Sequence, residues 1–128
     1  MSSNKIIGIG VDIESIQRFR DKPFAGNENF YKRIFTPLEI EYCLSKNDPY
    51  PNFTARFCAK EAIKKAIPQD LFIGWKDAEI RNDKTGKPFV HFLTSHKKNH
   101  PTFKDYVVHI SLSHDKTQAI AFVVVQKD

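Results

Sequence analysis

Glu61 and Lys65 set a carboxylate and an ammonium one helical turn apart in the stretch Arg56-Phe57-Cys58-Ala59-Lys60-Glu61-Ala62-Ile63-Lys64-Lys65-Ala66. Residues at that spacing are neighbours on a helix surface. On a helical wheel Ala55, Cys58, Ala59, Ala62 and Ala66 share the adjoining arc, so another backbone can approach closely. A charged pair at the edge of a close-packed face suits a metal or phosphate site. The plain alternative is an i, i+4 salt bridge worth about 0.2–0.5 kcal/mol. Arg56, Lys60 and Lys64 fall largely on other faces of the helix, where solvation is expected. Asp12 is the second carboxylate of interest. It ends the glycine-containing run Ile6-Ile7-Gly8-Ile9-Gly10-Val11 and precedes a helical pattern, so it reads either as a helix N-cap or as a ligand for a hard cation. Mg²⁺ takes one or two carboxylates together with water and substrate phosphate oxygens. Asp12 and Glu61 would supply such a pair if the fold brings them together.

Other charged or nucleophilic residues carry weaker signals. Glu39 follows Thr36-Pro37-Leu38 in the pattern of a capping box, which favours a structural role. Asp83-Lys84-Thr85-Gly86-Lys87-Pro88 reads as a turn, although a glycine between lysines can also offer amides and charge to a phosphate. Ser111-Leu112-Ser113-His114-Asp115 gathers Ser, His and Asp in one run. A hydrolytic triad assembles from separated positions, and the chain has no Gly-x-Ser-x-Gly elbow, so that reading is discounted. His114, at a strand end, reads first as structural, with donation to an anion as the functional alternative.

The elements that must position these groups follow from periodicity and punctuation. Ile6 to Val11 reads as a buried strand in which Gly8 and Gly10 permit close backbone contact. Ile13 to Arg20 reads as a helix with Ile13, Ile16 and Phe19 inward and Glu14, Gln17 and Arg18 outward. Asp21 to Asn29 is a loop, and Phe30 to Phe35 is mixed. A helix from Thr36 runs to about Ser45, and a second from about Asn52 to Ile67 is stopped by Pro68. Strands at Trp75–Arg81 and Pro88–Leu93 flank a hairpin loop. Thr94 to His100 reads as a short polar helix. Val107–Ser113 and Ala119–Val125 form an antiparallel pair. The fold class is α+β, an antiparallel sheet packed against helices and joined by the first strand, in a single domain over residues 1–128.

The 128 residues, 41% hydrophobic and with eleven Phe, support one real core. The charge of +5, from 20 Lys+Arg against 15 Asp+Glu, favours acidic or phosphorylated partners. No arginine-rich run exists, and the pairings Tyr31-Lys32-Arg33 and Phe103-Lys104 are isolated, so a nucleic-acid-binding module has thin support. Cys43 and Cys58 are too few and too badly spaced for a zinc site or a disulfide framework, which fits a reduced, cytoplasmic setting. The N-terminal segment does not read as a signal peptide, and no stretch approaches the ~20 apolar residues of a membrane span.

The order of these elements is more specific than any one of them. Ile7-Gly8-Ile9-Gly10-Val11-Asp12-Ile13, Arg18, Phe35-Thr36-Pro37-Leu38-Glu39, Arg56-Phe57-Cys58-Ala59-Lys60-Glu61-Ala62 with Lys65-Ala66, Thr85-Gly86-Lys87-Pro88 and Ser111-Leu112-Ser113-His114 follow one another along nearly the whole chain. The sequence thereby resembles the holo-[acyl-carrier-protein] synthases, the small stand-alone 4′-phosphopantetheinyl transferases. Cys58 departs from the family's usual alanine. The resemblance implies a 4′-phosphopantetheinyl transferase-like fold, with transfer of 4′-phosphopantetheine from coenzyme A to a serine of apo-acyl-carrier protein for fatty acid biosynthesis. The transfer would depend on Mg²⁺ and leave adenosine 3′,5′-bisphosphate. By the same resemblance Asp12 and Glu61 are the metal-site carboxylates, Glu61 directly or through water, and Lys65 meets the pyrophosphate. Arg56, the turn Gly86-Lys87-Pro88 and His114 hold the adenosine and 3′-phosphate end. Arg18 would face the acidic carrier protein, and the chain would form a homotrimer with active sites between subunits. A non-catalytic relative that binds only coenzyme A or a carrier protein is disfavoured by the intact Asp12, Glu61 and Lys65.

Overall fold

The structure, a computed structural model, describes residues 5–68, 74–93 and 105–127. In chain order its elements are β1 (Lys5–Ser15), α1 (Ile16–Arg20), α2 (Glu28–Ile34), α3 (Pro37–Leu44), α4 (Tyr50–Ala66), β2 (Ala78–Asn82), β3 (Pro88–Phe92), β4 (Tyr106–His114) and β5 (Gln118–Lys127). Strands β1, β5 and β4 form an antiparallel sheet with β5 in the middle, while β2 and β3 make a separate two-stranded hairpin. The fold is α+β as expected, except that the strands divide into two sheets. The expected helix at Thr94–His100 lies outside the described residues.

Helix α4 lies against the inner face of the three-stranded sheet, and its small-residue arc explains how. Gly10 and Gly8 of β1 face Ala62 and Ala66 so closely that a Cβ on either glycine would overlap the alanine carbonyl oxygen, at 2.0 and 1.7 Å. The core here is made of Ala55, Cys58, Ala59, Ala62 and Ile63 of α4 against Ala119, Ala121, Val123 and Val125 of β5, all buried. Cys58 packs as a small residue, and its thiol donates to the Ala119 carbonyl at 3.4 Å. A second core joins α1, α2, α3 and the first half of α4 through aromatic rings, with Tyr31 against Phe53 at 4.7 Å and Phe19 against Phe57 at 5.5 Å. On the opposite face of the sheet Ile9, Val11, Ile13, Ile120 and Phe122 are each at least 38% exposed, an apolar stripe that crosses two paired strands.

Three local expectations change. Strand β1 does not end at Asp12 but continues to Ser15, because β5 supplies hydrogen-bonding partners as far as Gln118. Asp12 is therefore a mid-strand residue, not a helix cap. Ile13 points outward, while Ile16 and Phe19 of the shortened α1 are buried as read. Arg56 and Lys60 are buried rather than solvated, at 3% and 2% exposed.

Lys60 can be buried because its three donors are all taken: Glu39 Oε2 at 2.9 Å, the Trp75 carbonyl at 2.8 Å and the Ala78 carbonyl at 2.8 Å. Burial pushes the Lys60 ammonium down from its ordinary value, against the pull of Glu39. Glu39 forms the expected capping box with Thr36, and its second oxygen accepts the Ile80 amide at 2.7 Å. One buried carboxylate thus ties the start of α3 to α4 and to the hairpin.

Candidate active site

Asp12, in mid-strand, projects from the same face of β1 as Gly8 and Gly10, toward α4. The last turn of α4 brings Lys65 to meet it. Lys65 Nζ lies 3.2 Å from Asp12 Oδ1 and donates to the Val11 carbonyl at 2.8 Å. The expected flank of Glu61 with Lys65 is thus replaced by an ion pair across two elements 53 residues apart. Close packing of glycine against alanine creates this contact, since it sets strand and helix at a distance that a lysine spans. Asp12 is mostly buried, and its other oxygen, Oδ2, is buried with no hydrogen-bond partner.

Glu61, one turn before Lys65, is half-buried and lines a cleft of about 500 Å³ with Glu14, Arg18, Arg33, Phe57 and Trp75. Glu14 is the residue that the sequence reading missed. On a helix it would face outward, but on the lengthened β1 it lies two residues after Asp12 on the same face. The period-two run Gly8, Gly10, Asp12, Glu14, alternating with Ile9, Val11 and Ile13, is the signal that could have found it. Burial and the adjacent Asp12 carboxylate push the Glu14 carboxyl up, and Arg18 pulls it back. Arg18 Nη1 donates to Glu14 Oε1 at 3.0 Å, and its guanidinium lies 5.2 Å from the centre of the Phe57 ring. The same packing pushes the Cys58 thiol up to about 12, first through burial and then through Asp12 and Glu14.

The residues assigned to a nucleotide end lie elsewhere. Arg56 and Gly86 share a cleft of about 610 Å³ with Tyr42, Asn82, Lys84 and Phe89. The Arg56 guanidinium stacks on Tyr42 at 4.2 Å and donates to Asn82 Oδ1 at 2.5 Å, while its buried Nε has no partner. Tyr42 and Asn82 are thus further residues that no sequence signal singled out. In the turn between β2 and β3 the amides of Thr85 and Lys87 donate to the Asp83 side chain and that of Gly86 to the Asp83 carbonyl. Those amides are consumed within the turn, so the lysine side chains are what it can offer to a phosphate. Gly86 itself adopts φ +89°, which the turn requires. Lys87 and Pro88 follow at the base of β3. His114 ends β4 and lines a third cleft with Arg20, Asp48, Pro51, Asp115 and Lys116. Within one chain, therefore, Asp12 and Lys65 meet at the last turn of α4, Glu61 lies one helical turn earlier in a cleft with Glu14 and Arg18, and Arg56 with Gly86, and His114, border other clefts.

Asp12 offers a donor that suits a hard divalent cation, and Glu61 is the further carboxylate in the neighbouring cleft. That donor is the carboxylate oxygen Asp12 Oδ2, buried without a hydrogen-bond partner. Among the described residues no three His, Cys, Asp or Glu side chains converge on one point. A cation there would therefore take much of its shell from water and phosphate oxygens, which is the habit of Mg²⁺.

The fold and the sequence pattern are shared with known transferases. The sequence pattern of the 4′-phosphopantetheinyl transferase superfamily matches residues 8–122. The holo-[acyl-carrier-protein] synthase of Geobacter sp. (strain M21) is 41% identical over 127 residues, covering 95% of this chain and 99% of that protein. Among solved structures, the holo-[acyl-carrier-protein] synthase of Neisseria meningitidis superposes with a TM-score of 0.80 at 29% identity, over 95% of this chain and 99% of the other. That of Bacillus anthracis, in complex with CoA (3′,5′-ADP), gives 0.75 at 30% identity over 96% and 98%. The chain belongs to the 4′-phosphopantetheinyl transferase superfamily and, within it, is an enzyme of the holo-[acyl-carrier-protein] synthase family.

Proposed function

We propose that the protein transfers the 4′-phosphopantetheine group of coenzyme A to a serine of an apo-acyl-carrier protein. In this reading it uses Mg²⁺, releases adenosine 3′,5′-bisphosphate and serves fatty acid biosynthesis in the cytoplasm. The observation that carries the reading is the meeting of Asp12 and Lys65 beside Glu61, with one Asp12 oxygen buried and unpaired. Coenzyme A in the related Bacillus anthracis structure supports the co-substrate.

The serine oxygen attacks the β-phosphorus, a new P–O ester bond forms, and the bond to the bridging oxygen of adenosine 3′,5′-bisphosphate breaks. The hydroxyl proton leaves to a water that Glu61 would position as base. Negative charge accumulates on the phosphoryl and leaving oxygens, so fixed positive charge there lowers the barrier. Lys65 supplies such charge from a position held by Asp12 and the Val11 carbonyl. Mg²⁺ held by Asp12 and Glu61 would neutralise further charge on the same oxygens. Arg56, Lys87 and His114 provide cationic or proton-donating groups for the nucleotide end, and Arg18 faces the carrier.

These groups border separate clefts of one chain, so a ligand engaging all of them would lie between copies. The exposed apolar stripe of Ile9, Val11, Ile13, Ile120 and Phe122 offers the surface for association. A homotrimer with intersubunit sites accounts for both features. A stable, fully active monomer in sedimentation would count against it.

The test of function is incubation with coenzyme A, Mg²⁺ and an apo-acyl-carrier protein, followed by mass spectrometry of the carrier. The expected result is a mass gain of one phosphopantetheine, and no gain refutes the reading. Glu61→Gln should still bind coenzyme A but transfer slowly. Near-normal turnover at saturating Mg²⁺ would remove Glu61 from the chemistry.

A further inference from the structure

Glu14 stands between two groups with separate assignments. On one side is the Asp12 carboxylate; on the other, Arg18 Nη1 lies 3.0 Å from Glu14 Oε1. The Arg18 guanidinium also lies over the Phe57 ring at 5.2 Å, so it is contacted from two directions although its side chain is 58% exposed. Phe57 is itself buried in the aromatic core, so the platform beneath the arginine is rigid. Only one corner of the guanidinium is engaged by Glu14, through Nη1, and the fork carries five N–H donors in all. Arg18 also lines the cleft that holds Glu61, so its other donors sit on an exposed side chain at that cleft.

We propose that Glu14 is a positioning residue: it presents Arg18 to the acidic carrier protein in one orientation at the mouth of the Glu61 cleft. The proposal rests on the carrier-protein reading above. An unrestrained arginine is rotamer-rich, and ordering one on binding weakens association by an amount equivalent to roughly 2–10-fold in affinity. Glu14 and Phe57 impose that order before the partner arrives. They leave free the bidentate edge that carboxylates prefer.

The test is a double-mutant cycle on the full chain, with Glu14→Gln, Arg18→Ala and the double variant. Each is measured for carrier KM, kcat and direct binding of the apo-carrier in the absence of coenzyme A. Glu14→Gln should raise carrier KM and weaken direct binding by about 2–10-fold, with the loss concentrated in KM rather than kcat. In the Arg18→Ala background the same substitution should add nothing. An equal effect of Glu14→Gln with and without Arg18 overturns the proposal, because Glu14 would then act through Asp12 or the fold. Tighter carrier binding also overturns it, since Glu14 would then be sequestering Arg18. Far-UV circular dichroism and thermal midpoints identify a variant that has merely lost its fold; Glu14→Asp then replaces it and should bind the carrier between wild type and Arg18→Ala, while binding as weak as Arg18→Ala or as tight as wild type overturns the proposal. Wild-type enzyme that fails to modify the carrier would refute the functional reading, whereas active wild type with unaltered carrier binding by Glu14→Gln refutes only this proposal.

Discussion

Gly10→Ala is the substitution whose effect follows most directly from the structure. A Cβ at residue 10 would lie 2.0 Å from the Ala62 carbonyl oxygen and 2.9 Å from its carbon, where ordinary contacts begin at 3.4 Å. The obstacle is helix backbone, which cannot rotate away as a side chain could. Strand β1 and helix α4 must therefore separate by more than about 1 Å. Overpacking of this kind costs about 1–3 kcal/mol, which for a chain of this length lowers the thermal midpoint by roughly 4–12 °C. The functional effect should be larger than the stability effect. Asp12 rides on β1 and Lys65 on α4, so separation opens the 3.2 Å contact between them. A misplacement of about 1 Å at a reacting centre can cost about 10²-fold in rate.

The assay is kcat for carrier modification at a temperature well below the midpoint, where circular dichroism shows the variant folded. A second substitution sharpens the test. Ala62→Gly removes a methyl but leaves the colliding carbonyl, so Gly10→Ala with Ala62→Gly should recover neither stability nor rate. A Gly10→Ala enzyme with the wild-type midpoint and rate would refute the close-approach account, and rescue by Ala62→Gly would show that side-chain crowding, not the backbone, sets the spacing.

Two further outcomes follow from buried groups. Lys60→Met leaves Glu39 buried opposite no cation and should cost ~3–5 kcal/mol in urea unfolding. Adding Glu39→Gln removes the stranded charge and should recover part of that loss, so strict additivity of the two substitutions would refute the coupling. Burial pushes the Cys43 thiol from 9.0 up to about 12, and Cys58 is raised similarly, which cuts the thiolate fraction at pH 8 about a thousandfold. The native protein should therefore leave both cysteines unlabelled by a thiol-disulfide reagent at pH 8 and expose both in denaturant, and rapid labelling of the folded chain would contradict their buried placement.

What the sequence revealed and what it hid divide by the range of the interactions involved. Thr36-Pro37-Leu38-Glu39 announces its capping box because both hydrogen bonds close within three residues. The small arc of α4 and the paired glycines were legible because each belongs to a local repeat, even though neither names its partner. Asp12 was misplaced because the hydrogen bonds that keep it in a strand come from β5, more than a hundred residues later. Arg56 and Lys60 were read as solvated because helix spacing counts faces and cannot count acceptors. Lys60 becomes internal only when Glu39, Trp75 and Ala78 arrive from three other segments. Glu14 shows how such errors propagate. Ending β1 at Asp12 turned the next residues into a helix, and on a helix Glu14 points to water. Extending the period-two reading by one more step moves Glu14 beside Asp12 and under Arg18, and so joins the carboxylate site to the surface that would meet the carrier protein. The family resemblance could supply Asp12, Glu61 and Lys65 by position, but only the register of β1 against β5 gives Glu14 its neighbours.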